Sequence, residues 1–128
     1  MNKLLLSLML LVCSGSHAAE WANVDWQSWT NGGSVEVAID ISTTNISLGE
    51  GKKSTWRRTH FKVPYTTMYN TVIFTNETID CKRKMWKATY LESYDNNILK
   101  EKKTEGFPWN FFDLSDKRDA TIYRLFCQ

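Results

Sequence analysis

The chain has 128 residues, with 16 Lys and Arg against 14 Asp and Glu and a formal net charge of +2. That is length enough for one domain with a modest core, and too little charge to set up a global field for nucleic acid or acidic membranes. The basic runs are also short, which further excludes a nucleic-acid-binding protein.

The first residues carry a leader pattern. Lys3 precedes an apolar run over residues 4–12, interrupted only by Ser7, and Ser16-His17-Ala18 follows. A basic start, a short apolar run and small residues at the cut define a secretory signal peptide. At 1.5 Å per residue the run reaches about 14 Å, well short of the roughly 30 Å hydrocarbon core, so it predicts a cleaved leader and not a permanent anchor. The cut is expected after Ala18, because a cut after Ala19 puts His17 where a small side chain is wanted. A competing cut lies at Cys13, where acylation would tether the domain to a membrane, although Val12 is bulky for that site. The expected organisation is residues 1–18 as signal peptide and 19–128 as one exported domain, in the periplasm or on the outer cell surface. No later stretch is apolar for 18 residues, so no transmembrane span is expected.

The domain keeps 110 residues, a net charge of +1, and all six Trp, five Tyr and six Phe. Aromatics this dense fit a β-rich domain, since flat rings pack well on pleated surfaces. Two cysteines remain, Cys81 and Cys127, and an even count in an oxidising compartment argues that they pair.

Residues 20–29 open the domain, with Trp21, Trp26 and Trp29 as packing residues, and Asn31-Gly32-Gly33 marks a turn. Val35, Val37 and Ile39 alternate with Glu36, Ala38 and Asp40, a period-two strand that Asp40 ends. Residues 49–52 make another turn. In the strand over residues 54–63, Thr55, Arg57, Thr59 and Phe61 alternate with Trp56, Arg58, His60 and Lys62, until Pro64 stops it. Residues 71–81 are strand-like. They are expected to continue through a bend or bulge near Cys81 into residues 82–94, where Trp86, Ala88 and Tyr90 share one face. Asp95-Asn96-Asn97 is a hairpin turn, residues 98–103 are its return strand, and residues 106–112 are an aromatic loop. Ser115 or Asp116 can cap a helix with Asp119 in its first turn, which sets Ile122 with Phe126 and Tyr123 with Cys127 on a helical face. A final strand is the alternative. The fold class expected is α+β, a small, mostly antiparallel sheet with a C-terminal helix packed on it and one disulfide.

Trp21, Ile39-Asp40, Trp56, Ile79-Asp80-Cys81, Tyr94-Asp95, Trp109 and the segment from Ser115 to Cys127, in this order and spacing, resemble the surface-adhesin protein E family of Gram-negative bacteria. The resemblance implies a small antiparallel sheet carrying one helix, with a disulfide corresponding to Cys81–Cys127. It also implies an adhesin that engages host matrix or serum proteins. Family members use a basic loop ahead of the cysteine strand, whereas the matching residues 64–70 contain no Lys or Arg. Fold therefore carries over better than adhesion.

Three basic groups stand out: Lys52, Lys53, Arg57, Arg58 and Lys62; Lys82, Arg83, Lys84 and Lys87; and Lys100, Lys102 and Lys103. The candidate binding patch is Lys52, Lys53, Trp56, Arg57, Arg58, Lys62, Lys82, Lys84 and Trp86, which could hold an acidic protein or an acidic polysaccharide. The plainer reading is a solvated sheet face with lysines guarding its edges, and alternation splits each run across two faces. His60 lacks an obvious acid or nucleophile partner, the cysteines are expected to be bonded, and Asp40 and Asp80 read as strand-end caps. Asp25, Asp113, Asp116 and Asp119 lack calcium-loop spacing. No enzyme, cofactor or metal is expected. Asn45-Ile46-Ser47 and Asn76-Glu77-Thr78 match the glycosylation sequon, by chance if the source is bacterial.

Two functions follow as expectations. One is a surface or periplasmic binding protein that engages a host or envelope protein through an exposed sheet face. The other is a periplasmic inhibitor or immunity protein whose loop over residues 106–113 plugs a lysozyme-like enzyme or a toxin. Exposed strand edges would also permit a homodimer.

Overall fold

The structure, a computed structural model, describes residues 19–28, 32–62 and 70–128. The signal peptide, Cys13, Trp29, Asn31 and most of the 64–70 stretch lie outside the described residues. Among the described residues there are seven strands: β1 (Trp21–Ser28), β2 (Ser34–Asp40), β3 (Lys52–Lys62), β4 (Asn70–Asp80), β5 (Met85–Asp95), β6 (Ile98–Lys103) and β7 (Asn110–Phe111). They form one antiparallel sheet in the order β1-β2-β3-β4-β5-β6, with β7 pairing the far end of β5. A short 3-10 turn, Ile41–Thr43, follows β2, and helix α1 (Lys117–Cys127) closes the chain. The expected α+β class, with its C-terminal helix and single disulfide, is the observed one.

The connections follow from turn chemistry. Asn96 and Asn97 both have positive φ, 48° and 69°, as a two-residue hairpin between right-twisting strands demands. β4 and β5 are two separate strands, and the expected bend near Cys81 is a full reversal over residues 81–84. Asp80 Oδ1 accepts the Arg83 amide at 3.1 Å, and Lys84 takes a φ of 57°. Asp40 likewise ends β2, its Oδ1 accepting the amides of Ser42 at 2.9 Å and Glu20 at 3.0 Å. Of the two cap candidates, Asp116 is the one used, accepting the Asp119 amide at 3.1 Å. The helix, not a final strand, ends the chain.

Helix α1 covers one face of the sheet. Ile122, Tyr123 and Phe126 meet Val24, Val37, Ile39 and Ile79, with Phe112 folded in beside Tyr123 at a ring separation of 5.4 Å. Arg118 reaches toward Asp25 on β1, 4.0 Å away. The Cys81–Cys127 bond ties the last helical turn to the end of β4, with 5.4 Å between Cα atoms and a sequence separation of 46. A loop of that length is worth about 4 kcal/mol on the chain-entropy model.

Two bulges decide what faces away from the helix. In β1 the register slips between Asn23 and Asp25, which drops Val24 into the core and leaves both Trp21 and Trp26 on the outer face. Strict alternation would have put those tryptophans on opposite faces, and neither belongs to the core cluster as the sequence reading expected. In β5 the slip falls at Thr89, so Ala88 pairs Glu77 while Tyr90 pairs Asn76. Trp86 and Ala88 therefore share the helix side, whereas Tyr90 lies opposite them, correcting the single face expected for all three.

Candidate functional site

The candidate basic patch does not form one surface. From the cross-strand register, Lys52, Trp56, Arg58 and Lys62 lie on the outer face, and Lys53, Arg57 and Trp86 lie on the helix side. Lys82 and Lys84 sit in the turn after β4. Lys53 spends its ammonium on the Thr44 carbonyl, and the Lys82 side chain lies over Gly51, its Cγ 3.0 Å from where a Cβ would stand. What the fold does bring together is two arginine–tryptophan stacks. Arg57 lies 4.9 Å from the Trp86 ring centroid on the helix side, and Arg58 lies 4.7 Å from Trp21 on the outer face.

The outer face is an aromatic sheet surface. Trp21 approaches Phe74 at 6.3 Å, and Phe74 meets Tyr94 edge-on at 6.1 Å. Trp56 meets Tyr90 edge-on at 5.9 Å, with the Lys102 ammonium 5.8 Å from the Tyr90 ring. All five rings are half-buried by one another, none belongs to the core cluster, and no described helix or strand lies across them. Trp26 extends the surface toward the β1 edge and is 61 % exposed. Burial, reinforced by the Glu92 hydrogen bond and charge and opposed by Lys102, holds the Tyr90 hydroxyl above the usual phenol range.

The helix side holds a second feature where α1 ends its cover. A hollow of about 280 Å³ opens over β3, β4 and β5. Trp86, Ala88 and Leu91 wall it from the sheet, and Phe107 and Pro108 wall it from the chain that returns after β6. Arg57 and Glu77 form its floor, with side chains 11 % and 2 % exposed. Arg57 Nη2 donates to Glu77 Oε1 at 3.0 Å, and Thr75 Oγ1 donates to Oε2 at 3.0 Å. Arg57 Nε lies 2.9 Å from Oε2 as an ion-pair contact without hydrogen-bond alignment, and it and the Trp86 indole N–H are buried without a hydrogen-bond partner among the described residues. A buried ion pair costs desolvation that an apolar pair would not, so this floor is an expensive one to maintain.

The segment over residues 106–113 is a pinned strap and not a free loop. Phe107 and Pro108 turn onto the sheet, Asn110 and Phe111 pair β5, and Phe112 enters the core. Trp109, Phe111 and Leu114 remain exposed, Phe111 at 74 %. His60 Nε2 meets Asn70 Oδ1, and Asp40 and Asp80 each serve their own turn. No group of His, Cys, Asp and Glu among the described residues could hold a metal ion, and no described helix is long and apolar enough to cross a membrane.

No family model, curated protein or solved structure matches this chain. The sequence reading singled out Trp56, Arg57, Arg58 and Trp86 but missed Trp26, Phe74, Tyr90, Tyr94 and Glu77. Phe74 and Glu77 needed the β3–β4 register, and Tyr90 and Trp26 needed the bulges.

Proposed function

We propose that this chain is an exported protein-binding module of the adhesin kind, which takes a host matrix protein on the outer face of its sheet. The observation that carries the reading is the aromatic surface of Trp21, Trp26, Trp56, Phe74, Tyr90 and Tyr94, edged by Arg58 and Lys102, on the side away from the core. A soluble domain seldom lays out this many rings on one face without covering them. Trp, Tyr and Arg are the residues that dominate binding energy at protein interfaces. The rings brace one another edge to face, so little side-chain entropy remains to be lost on docking.

The test is surface plasmon resonance against purified host extracellular-matrix proteins, with a Trp26→Ser, Arg58→Ser variant and a Lys117→Ser control on α1. A dissociation constant raised at least tenfold by the first change and untouched by the second supports the reading. Binding that survives the first change, or no binding to any matrix protein tested, rejects it.

The inhibitor reading retains one observation of its own. The strap exposes Trp109 and Phe111, with the Lys87 ammonium 5.9 Å from the Trp109 ring. Such a wedge suits an enzyme cleft. Loss of inhibition of an envelope muramidase on Phe111→Ser, with the outer-face variant still inhibiting, would select this reading over the first.

A further inference from the structure

We infer that the hollow over Arg57 is a binding site for a small, neutral ligand with an apolar ring or branched chain and one carbonyl oxygen. This is independent of the outer-face reading, because the hollow opens on the opposite side of the sheet. Three observations lead to that ligand class.

The first is shape. At about 280 Å³ the hollow stands at the low end of small-molecule sites, room for one ring or a short branched chain. The second is lining. Trp86, Ala88, Leu91, Phe107 and Pro108 give it apolar walls on two sides, and water there finds few partners. The third is charge. Arg57 lines the hollow, yet only its Nη2 donates a hydrogen bond to protein, to Glu77. Its Nε is buried and makes no hydrogen bond among the described residues. An unmet donor in an apolar recess calls for an acceptor.

Glu77 limits what that acceptor can be. Its carboxylate is 2 % exposed and already balances Arg57, so floor and pair are neutral together. A ligand carboxylate would add a second negative charge beside a buried first one. A carbonyl oxygen accepts the Arg57 Nε hydrogen without that penalty, while the ring or branched chain displaces water from Trp86 and Leu91. Holding the guanidinium on the Trp86 ring keeps the donor edge fixed before the ligand arrives.

The experiment is a set of ligand-observed NMR titrations on the purified, oxidised protein with three probes of one ring size: benzamide, benzoate and toluene. Benzamide is expected to saturate with a dissociation constant at least tenfold below that of either other probe. Leu91→Trp fills the hollow and is expected to weaken benzamide more than tenfold. The paired change Arg57→Met with Glu77→Leu keeps the apolar volume and removes both charges, and is expected to erase the preference for benzamide over toluene. The inference is overturned if no probe saturates, if benzoate binds as tightly as benzamide, or if Leu91→Trp leaves binding unchanged. Should Leu91→Trp fail to fold, the paired change decides: a benzamide preference that persists there also overturns it.

Discussion

The Tyr123 hydroxyl donates to the carbonyl oxygen of Cys81 at 3.1 Å, so the residue whose sulfur bonds helix α1 also accepts a hydrogen bond from it. The helix is thus held to the end of β4 by a covalent and a polar link on neighbouring turns. Replacing Cys81 and Cys127 together by Ala is expected to cost about 2–5 kcal/mol, and Tyr123→Phe about 1 kcal/mol. Because both act on one junction, the triple change should depart from additivity by 0.5 kcal/mol or more. Urea unfolding of the four proteins measures this, and strict additivity would mean that the two links act independently.

The Arg57–Glu77 pair makes a sharper prediction. Arg57→Ala leaves a buried carboxylate with only Thr75 as a side-chain donor, and is expected to destabilise by about 3–5 kcal/mol. The paired Arg57→Met, Glu77→Leu protein should recover most of that loss, since apolar residues of similar volume replace a buried ion pair at little cost. Thermal unfolding of both variants checks it. A paired variant as unstable as the single one would show that the pair, and not the stranded charge, supplies the stability.

Asp40 gives the domain an acid limit. Burial pushes its carboxyl upward, but the hydrogen bonds from Ser42 and the Glu20 amide outweigh burial and hold it below the ordinary aspartate value. A pKa lowered by folding contributes stability above the unfolded value, near 3.9. That contribution disappears as pH falls through the lower folded value. The stability gap between the natural protein and Asp40→Asn should therefore be constant from pH 7 to about 5 and close below about pH 4. Chemical denaturation across that range measures the gap; one that stays constant down to pH 2 would contradict the role given to these two amides.

Much of this fold could be read from period and turn chemistry. The alternation around Val37 and Ile39, the Asn96-Asn97 turn and the Asp116 cap each state their structure locally, in residues whose neighbours in sequence are also their neighbours in space. What could not be read was the face that Trp26 and Tyr90 occupy. A bulge moves every later side chain to the other face, and Val24 and Thr89 carry no residue-type mark of one. The Arg57–Glu77 pair was hidden for another reason: its partners stand 20 positions apart and meet only once β3 and β4 are in register. Arg57 and Arg58 looked like one patch because they are adjacent in the chain, which on a strand is what separates them.

Lys84 offers a direct test of the turn that the sequence reading took for a bend. Its φ of 57° is costly for a side chain without the local hydrogen bonding of Asn or Asp, whereas Asn97 at 69° is a residue type that tolerates this region. Lys84→Gly is expected to stabilise by up to about 1 kcal/mol, and Asn97→Gly by less. Equal gains at the two sites in urea unfolding would mean that the Lys84 backbone carries no more strain than an ordinary Asn turn.

Trp26 and Ile79 separate surface from core. Trp26 is large and apolar, yet it stands 61 % exposed on the outer face and outside the core cluster. Trp26→Ser is expected to change stability by less than about 0.5 kcal/mol, as surface substitutions do. Ile79 is fully buried between the sheet and α1, and Ile79→Ala should cost about 2–5 kcal/mol through lost transfer energy and a cavity. Calorimetric unfolding of the two variants makes the comparison. If Trp26→Ser proved as costly as Ile79→Ala, the outer rings would be a second core. They could not then be spent on a partner without unfolding the sheet that carries them. A near-silent Trp26→Ser leaves that surface available for binding, because residues that contribute little to folding are the ones a protein can present to a partner.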